Sequence, residues 1–315
     1  MRAIPTTTEL DLLIEELPHD IYHCLGQLSY YDRLIYYWVG RSFYSGFGTI
    51  VDAGALIGGT AKLMAYGLTQ NPNAGDTSRR ILSYDRFEDD EGGFMVSAVG
   101  SWPGVDLPPP REGKVDFEPA FRKNTEDYAG MIEVRRGDIT EVGYRDDRPI
   151  EIMSVDVGKT PELMSYVARE FFPRLVPGRS IVLNQDYLFP FQPWVIMAME
   201  LLGDCLVLDY APPTECTTIH RCIKPISAEL VQSRLEGYWA PEQLHLIERA
   251  AKKLSAPMNQ VTMRAAQING MWRFGKRKAA QEAARQMRAE FLLSAEDIRM
   301  KPGFERLFNE IGVPV

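Results

Sequence analysis

Two clusters of residues in this 315-residue chain have the types and spacing to do chemistry. The first is the string TIVDAGALIGGTAKLMAYGL: an apolar run ends in Asp52, a glycine turn carries Gly54, Gly58 and Gly59, and a helical pattern follows. Glycines let a backbone approach a ligand closely, and a helix N-terminus supplies partial positive charge. Further on, SYDRF places Asp85 at the end of the next apolar run, where a carboxylate can accept both hydroxyls of a ribose. A glycine turn also serves as punctuation alone, and an acid at a strand end is also a solvated group. Two nucleotide motifs fail against the letters. The phosphate-gripping loop needs Lys before Thr60, where Gly59 stands, and the dinucleotide fingerprint needs G-x-G-x-x-G where this turn reads G-x-x-x-G-G.

The second cluster follows two later apolar runs. IEIMSVDVGKTPEL carries Asp156 to a strand end, with Lys159 three residues on. Thr160 can cap the next helix, with Pro161 as its first residue. Lys159 therefore sits beside a helix N-terminus, where a cation is mildly unfavourable and a neutral amine, as a general base requires, is favoured. SIVLNQDYLFPFQPW then sets Asn184, Gln185 and Asp186 after a purely apolar run. Neighbouring strand ends bring such groups side by side, so Asp156 and Asp186, with an amide oxygen, suit a hard cation such as Mg²⁺. Helix caps and solvated strand ends account for the same letters without a metal.

The elements that must hold these residues are legible in outline. Short apolar runs at 49–53, 81–85, 132–135, 150–156 and 180–184 alternate with helical patterns near 58–70, 116–130, 160–174 and 191–203. Alternation of this kind predicts parallel strands joined by right-handed crossovers. Runs at 205–210 and 217–223 are separated only by APPTEC, too short for a crossover, so they should pair antiparallel. The expectation is an α/β fold: a Rossmann-like, mostly parallel seven-stranded sheet with an antiparallel terminal hairpin, plus N- and C-terminal helical extensions. The domain reading is a helical extension over 1–47, a central domain over 48–225 and a helical region over 226–315. Residues 87–114, with EDDEGG, GSWPG and PPP, form a long Gly- and Pro-rich connection that reads as an active-site lid or a mobile excursion. The aromatic cluster from Tyr30 to Tyr44 reads as packing, as part of a ligand pocket, or as a subunit contact in a homo-oligomer. The run from Arg273 to Arg288 carries six Lys/Arg against Glu282, with Ala280, Ala284, Met287 and Phe291 at helical spacing behind it. A solvated charged face is the simplest account, and docking to an acidic surface is the other.

Composition narrows the classes. With 45% hydrophobic and 25% charged residues the chain is globular, and a net charge of −8 disfavours a nucleic-acid partner. Cys24, Cys205, Cys216 and Cys222 form no CxxC, which fits reduced thiols in a cytoplasmic protein. Acids interrupt the N-terminal stretch, and no run is long and apolar enough for a membrane span. His19 and His23 share helical spacing without an evident third metal ligand, and His220 reads as structural. Tyr187, Phe189, Phe191 and Trp194 read equally as core or as an apolar wall for substrate.

Asp52, the glycine turn and Asp85 together resemble the S-adenosylmethionine site of class I methyltransferases, and RRGDI resembles that family's acid after the third strand. The likeness covers about residues 48–224. It implies cofactor contacts at Asp52, Gly54, Gly58 and Asp85, and Asp138 near the adenine. D-x-x-K after the fourth strand, with a polar–acidic pair after the fifth, looks like the metal-dependent O-methyltransferases of catechol or sugar type. That resemblance implies Mg²⁺ on Asp156 and Asp186 with Gln185 or Asn184, catalysis by Asp156 and Lys159 with Lys159 as base, and a small-molecule or carbohydrate acceptor. Two positions depart from the family pattern: Leu56 stands where Gly is commoner, and Gln185 replaces the first acid of the pair. A non-catalytic scaffold that binds the cofactor or a nucleotide is the alternative.

Overall fold

A computed structural model of the protein describes residues 3–214, 217–291, 293–294 and 303–313, so Cys216 lies outside the described residues. The strands are β1 (Thr49–Ala53), β2 (Ile81–Asp85), β3 (Glu88–Asp90), β4 (Lys114–Asp116), β5 (Ile132–Arg136), β6 (Ile150–Val155), β7 (Ile181–Asn184), β8 (Leu206–Tyr210) and β9 (Thr218–Cys222). Seven of them form one sheet in the order β5-β2-β1-β6-β7-β9-β8, and β3 pairs with β4 apart from it. β1 runs parallel to β2 and β6, β2 runs parallel to β5, and β8 and β9 are antiparallel. The expected sheet and terminal hairpin are therefore present. β1 and β6 are buried along their whole length, which is why they read as apolar runs rather than alternating ones. Asp156 falls one residue past β6, although its N–H still donates to the Ala53 carbonyl at 2.8 Å.

Two compact units emerge, one of residues 1–156 and 174–183, the other of 157–173 and 184–313 within the described chain. In the first, the N-terminal stretch folds as helices Thr7–Leu12, His19–Tyr22 and Tyr30–Trp38. Ser29 and Asp32 close the last of these with a capping box. This helix and its continuation pack on the helix Gly59–Thr69 through two glycines. A Cβ on Gly40 would lie 2.2 Å from the Met64 carbonyl oxygen, and one on Gly67 would lie 2.5 Å from that of Tyr37. Tyr36, Tyr37, Trp38, Phe43 and Tyr44 are buried within this unit, while Tyr30 and Tyr31 of the same cluster are partly exposed.

The 87–114 connection is more ordered than its composition suggests. β3 and β4 form a small antiparallel ribbon around a helix, Phe94–Gly100. Phe87 packs edge-on against Phe117 and Phe121 at the base of this excursion. Arg136, from the end of β5, donates to Asp116 at 2.9 Å and Glu118 at 2.8 Å. Three-residue strands rich in Asp and Glu carry no apolar pattern, so periodicity misses them.

The second unit holds the β8–β9 hairpin and helices that include Pro161–Phe171, Pro193–Leu201, His245–Ala251, Pro257–Arg273, Arg277–Glu290 and Phe304–Glu310. The basic run has the amphipathic face expected of it: Ala280, Ala284 and Met287 are buried against Phe304, Leu307 and Phe308, with Phe291 at the margin. Among the described residues no helix is long and apolar enough to cross a membrane. His220 is buried, and burial pushes its pKa down to about 3, so it is a neutral core residue. Tyr187, Phe191 and Trp194 are likewise core.

Glu200 is buried within this unit and accepts from Lys253 at 2.6 Å and Arg249 at 2.7 Å, both partly exposed. The asymmetry is testable. Replacing Arg249 and Lys253 together by Met strands a buried carboxylate and should cost about 3–5 kcal/mol. Glu200→Gln leaves two cations that can reach water and should cost about half as much or less. Denaturant unfolding of the two variants measures the difference.

Candidate active site

The carboxyl end of β1 turns through an unusual run of backbone. Gly54, Leu56 and Gly58 all lie in the left-handed region, with φ of 97°, 49° and 84°. For glycine this is free, whereas a leucine pays about 1–2 kcal/mol. Gly54 is also required by space, since a Cβ there would meet the Asp156 Cβ at 3.0 Å. At Gly58 a Cβ would lie 2.5 Å from the Thr125 side chain. The Gly54 and Ala55 amides donate to the Tyr84 carbonyl at 2.9 and 3.1 Å. The carboxyl end of β2 thus takes up the amides of Gly54 and Ala55.

What fixes the turn is Asp85. Its Oδ2 accepts the Leu56 N–H and its Oδ1 the Phe87 N–H, each at 2.8 Å. Leu56 is held in its strained conformation by this bond, which accounts for the departure noted in the sequence. Each carboxylate oxygen retains a further lone pair, so Asp85 can still accept from a diol. Burial raises the pKa of Asp85, and the backbone donors at Phe87, Leu56 and Arg86 offset part of the rise.

Asp52 lies deeper. It is 1% exposed and accepts from the Thr60 hydroxyl at 2.8 Å. Strand register sets Ser83 on one side of it and Ser154 on the other, and the Ser154 hydroxyl shares a hydrogen bond with Tyr36 at 2.8 Å. Burial pushes the pKa of Asp52 up to about 7, with Asp85 adding to the rise and the Thr60 and Ser154 hydroxyls opposing it. The sign of the consequence follows. Between the ordinary carboxylate range and about pH 7 the folded state holds a proton that the unfolded state has lost, so stability falls as pH rises through this window and stays low above it. Asp85, raised in the same direction, adds to the trend. Asp52→Asn should flatten the decline by a few kcal/mol, measured as unfolding free energy between pH 4 and pH 8.

Asp138 sits apart from Asp52. It caps the short helix Ile139–Val142, accepting from the Thr140 amide at 2.9 Å and hydroxyl at 2.7 Å. With Arg86, Glu88, Arg136, Gly137 and Glu141 it lines a cleft of about 370 Å³.

In the second unit, Lys159 Nζ donates to Asp186 Oδ2 at 2.6 Å. Asp186 is 12% exposed and Lys159 49%. Thr160 caps the following helix through the Leu163 N–H at 3.2 Å, as its sequence predicts. The Trp194 indole N–H donates to the Gly158 carbonyl at 2.6 Å, which fixes the residue before the lysine. Lys159 and Asp186 therefore meet as an ion pair at the start of this helix. The same contact bears on Mg²⁺. Asp186 is already neutralised by a cation, Gln185 contributes an amide rather than a charge, and Asp156 packs against Gly54 at the glycine turn. Among the described residues no group of three or more His, Cys, Asp or Glu can hold a metal ion, the His19–His23 pair included.

No family model matches the chain, and no curated protein matches it significantly. Solved structures do. CalS11, described as a TDP-rhamnose 3′-O-methyltransferase of calicheamicin biosynthesis, is 16% identical, with 70% of this chain and 96% of that one covered at a TM-score of 0.45. The O-methyltransferase NovP is 17% identical over 65% and 78% of the two chains, with a TM-score of 0.41. The pyocyanin biosynthetic protein PhzM is 15% identical over 69% and 68%, with a TM-score of 0.36. These are likenesses of fold. The strand order, with its antiparallel hairpin at one edge, is the deciding observation. This is a Rossmann-like, mostly parallel sheet closed by an antiparallel hairpin.

Each unit brings some of the residues singled out in the sequence together. Asp52, Gly54, Asp85 and Asp156 gather around the turn after β1, with Gly58 at its far end, and Asp138 lines the cleft beyond β5. Lys159 and Asp186 meet each other in the second unit. Sequence reasoning missed Ser83 and Ser154, which flank Asp52 in register. Both had a signal, a polar residue at matching positions of three apolar strands.

Proposed function

We propose that this protein is an S-adenosylmethionine-dependent methyltransferase that methylates a hydroxyl oxygen of a small molecule or sugar. The observation that carries the reading is Asp85, a largely buried carboxylate locked by two backbone amides beside a left-handed turn at the end of β1. Such a carboxylate suits a ribose diol, and the turn lets the rest of a nucleoside lie close to the backbone. On this reading Asp138 and its cleft take the adenine, and Asp52, Gly54 and Asp156 border the amino-acid end.

The cofactor, when bound, supplies an electrophilic methyl group on a sulfonium. The chain's own residues then have two tasks. The first is to fix the nucleoside, through Asp85 and the turn, so that the methyl presents one trajectory to the acceptor. The second is to manage the acceptor proton. The Lys159 ammonium favours negative charge developing on the attacking oxygen, and Asp186 takes the proton as the oxygen commits to the methyl. Trp194 and Thr160 hold the segment that carries Lys159.

Titration calorimetry with S-adenosylmethionine, S-adenosylhomocysteine and NAD tests the first task. Binding of the first two and not the third is the expected result; no binding of either methionine-derived ligand would reject the reading. Transfer of labelled methyl to a library of hydroxylated acceptors then separates an enzyme from a scaffold. Turnover should survive exhaustive chelation, and activity lost to chelator and restored by Mg²⁺ would return the metal to the site.

A further inference from the structure

The segment that carries Lys159 is fastened to a row of aromatic rings in the same unit. The Trp194 indole, bonded to the Gly158 carbonyl, meets the Trp239 ring edge-on with 5.4 Å between centroids. Trp239 in turn lies 4.4 Å from Phe274. Trp194 is buried, whereas Trp239 and Phe274 are only partly so. Their remaining surface is flat and apolar, suited to the face of an aromatic or sugar ring.

Over the buried member of this row stands a cation. The Arg273 guanidinium lies 5.2 Å from the centroid of the Trp194 ring. Its Nε donates at 3.2 Å to the side-chain oxygen of Asn269, one helical turn earlier. Asn269 is 1% exposed and donates to the Pro190 carbonyl at 2.9 Å, in the loop that follows Asp186. The guanidinium is thus tied to both segments of the Lys159–Asp186 pair, through Trp194 on one side and Asn269 on the other. Both holders are neutral. Arg221, Arg234, Arg249, Arg285 and Arg306 of the same unit each pair with a carboxylate. Arg273 has no such partner among the described residues, and Glu310, whose charge acts on it, is bonded to Arg306 at 2.8 Å. A planar cation oriented by an indole face and an amide, with its two terminal nitrogens unspent on the described residues, presents the fork that matches a carboxylate or a phosphate.

We propose that Arg273 binds an anionic group of the methyl acceptor, a carboxylate or a phosphate, while Trp239 and Phe274 carry the ring that joins this group to the reacting hydroxyl. The inference rests on the reading of Lys159 and Asp186 as the groups that meet the acceptor. It narrows that acceptor from hydroxylated molecules at large to anionic ones. Arg273 sets specificity and takes no part in the proton transfer.

Titration calorimetry on the full-length protein compares three probes: 4-hydroxybenzoate, phenyl phosphate and the neutral 4-hydroxybenzamide. The wild type should bind the anions at least about tenfold more tightly than the amide. In Arg273→Met, which keeps an apolar stem over Trp194, the anions should weaken by about tenfold to a hundredfold and the amide should stay within about twofold. Arg273→Lys, with the charge but not the fork, should fall between. Arg285→Met, on the basic helix that follows, should leave all three probes near wild type. Binding of only one anion supports the inference and names the acceptor's group. No preference for charge in the wild type, equal loss of all three probes in Arg273→Met, or a loss shared with Arg285→Met overturns it. Benzoate and phenyl phosphate have no hydroxyl to methylate, so the one that binds should inhibit methyl transfer competitively toward the acceptor; noncompetitive inhibition overturns the inference as well. S-adenosylmethionine titrated into the same preparation keeps the two readings apart. Cofactor binding without anion preference rejects this inference alone, and anion preference without cofactor binding rejects the methyltransferase reading and leaves an anion site at Arg273.

Discussion

Lys159→Met should lower kcat by about 10²–10⁴-fold while the affinity for S-adenosylmethionine stays within about twofold of wild type. The substitution keeps the length and apolar stem of the side chain and removes the ammonium that contacts Asp186 at 2.6 Å. Because Lys159 is about half exposed, the loss of this ion pair should cost little stability, and the effect should appear in chemistry rather than folding. Asp186→Asn should give a loss of similar size, and the double variant should be little worse than either single one, since the two act as a unit. Single-turnover methyl transfer is the measurement. Turnover at the wild-type rate in Lys159→Met would remove the pair from the mechanism.

The second large effect is expected at Asp85. Asp85→Ala removes the ribose acceptor together with the two bonds that hold Leu56 and Phe87. Affinity for S-adenosylmethionine and S-adenosylhomocysteine should fall on the order of a hundredfold or more. Asp85→Asn keeps one acceptor oxygen and should fall between the variant and wild type. Calorimetry, with far-ultraviolet circular dichroism as a check on folding, decides it. Undiminished affinity in both variants would mean that no ribose binds at the end of β2.

These two predictions also mark how far the sequence could be read. β1, β2, β6 and β7 were legible because both their faces are buried, so each is a mostly apolar run with a polar residue at or near its carboxyl end. The terminal hairpin followed from a connection too short to cross over. The turn after Asp52 could be located but not described, since nothing local to Leu56 announces a left-handed leucine; that conformation is enforced by Asp85, 29 positions later. Lys159 illustrates the same limit in electrostatics. Its neighbours in the chain place it at a helix start, whereas its ion-pair partner, Asp186, stands 27 positions on. Asp32 was hidden differently. One of its oxygens closes a capping box with Ser29 and the other is buried without a partner, and no local letter announces that difference.

The crossing at Gly40 and Gly67, where two helices touch backbone to backbone, has a bearing on how a ligand gets in and out. Side chains at a helix contact can slide or change rotamer; main chains in contact have no such slack. The helix that carries Asp32 and the one that follows the turn thus travel as a single block, and lifting one to open a passage would drag the other along. On the proposed reading, traffic to the turn after β1 passes by some other part of its rim, and a hinge sought at this crossing would be sought in the wrong place.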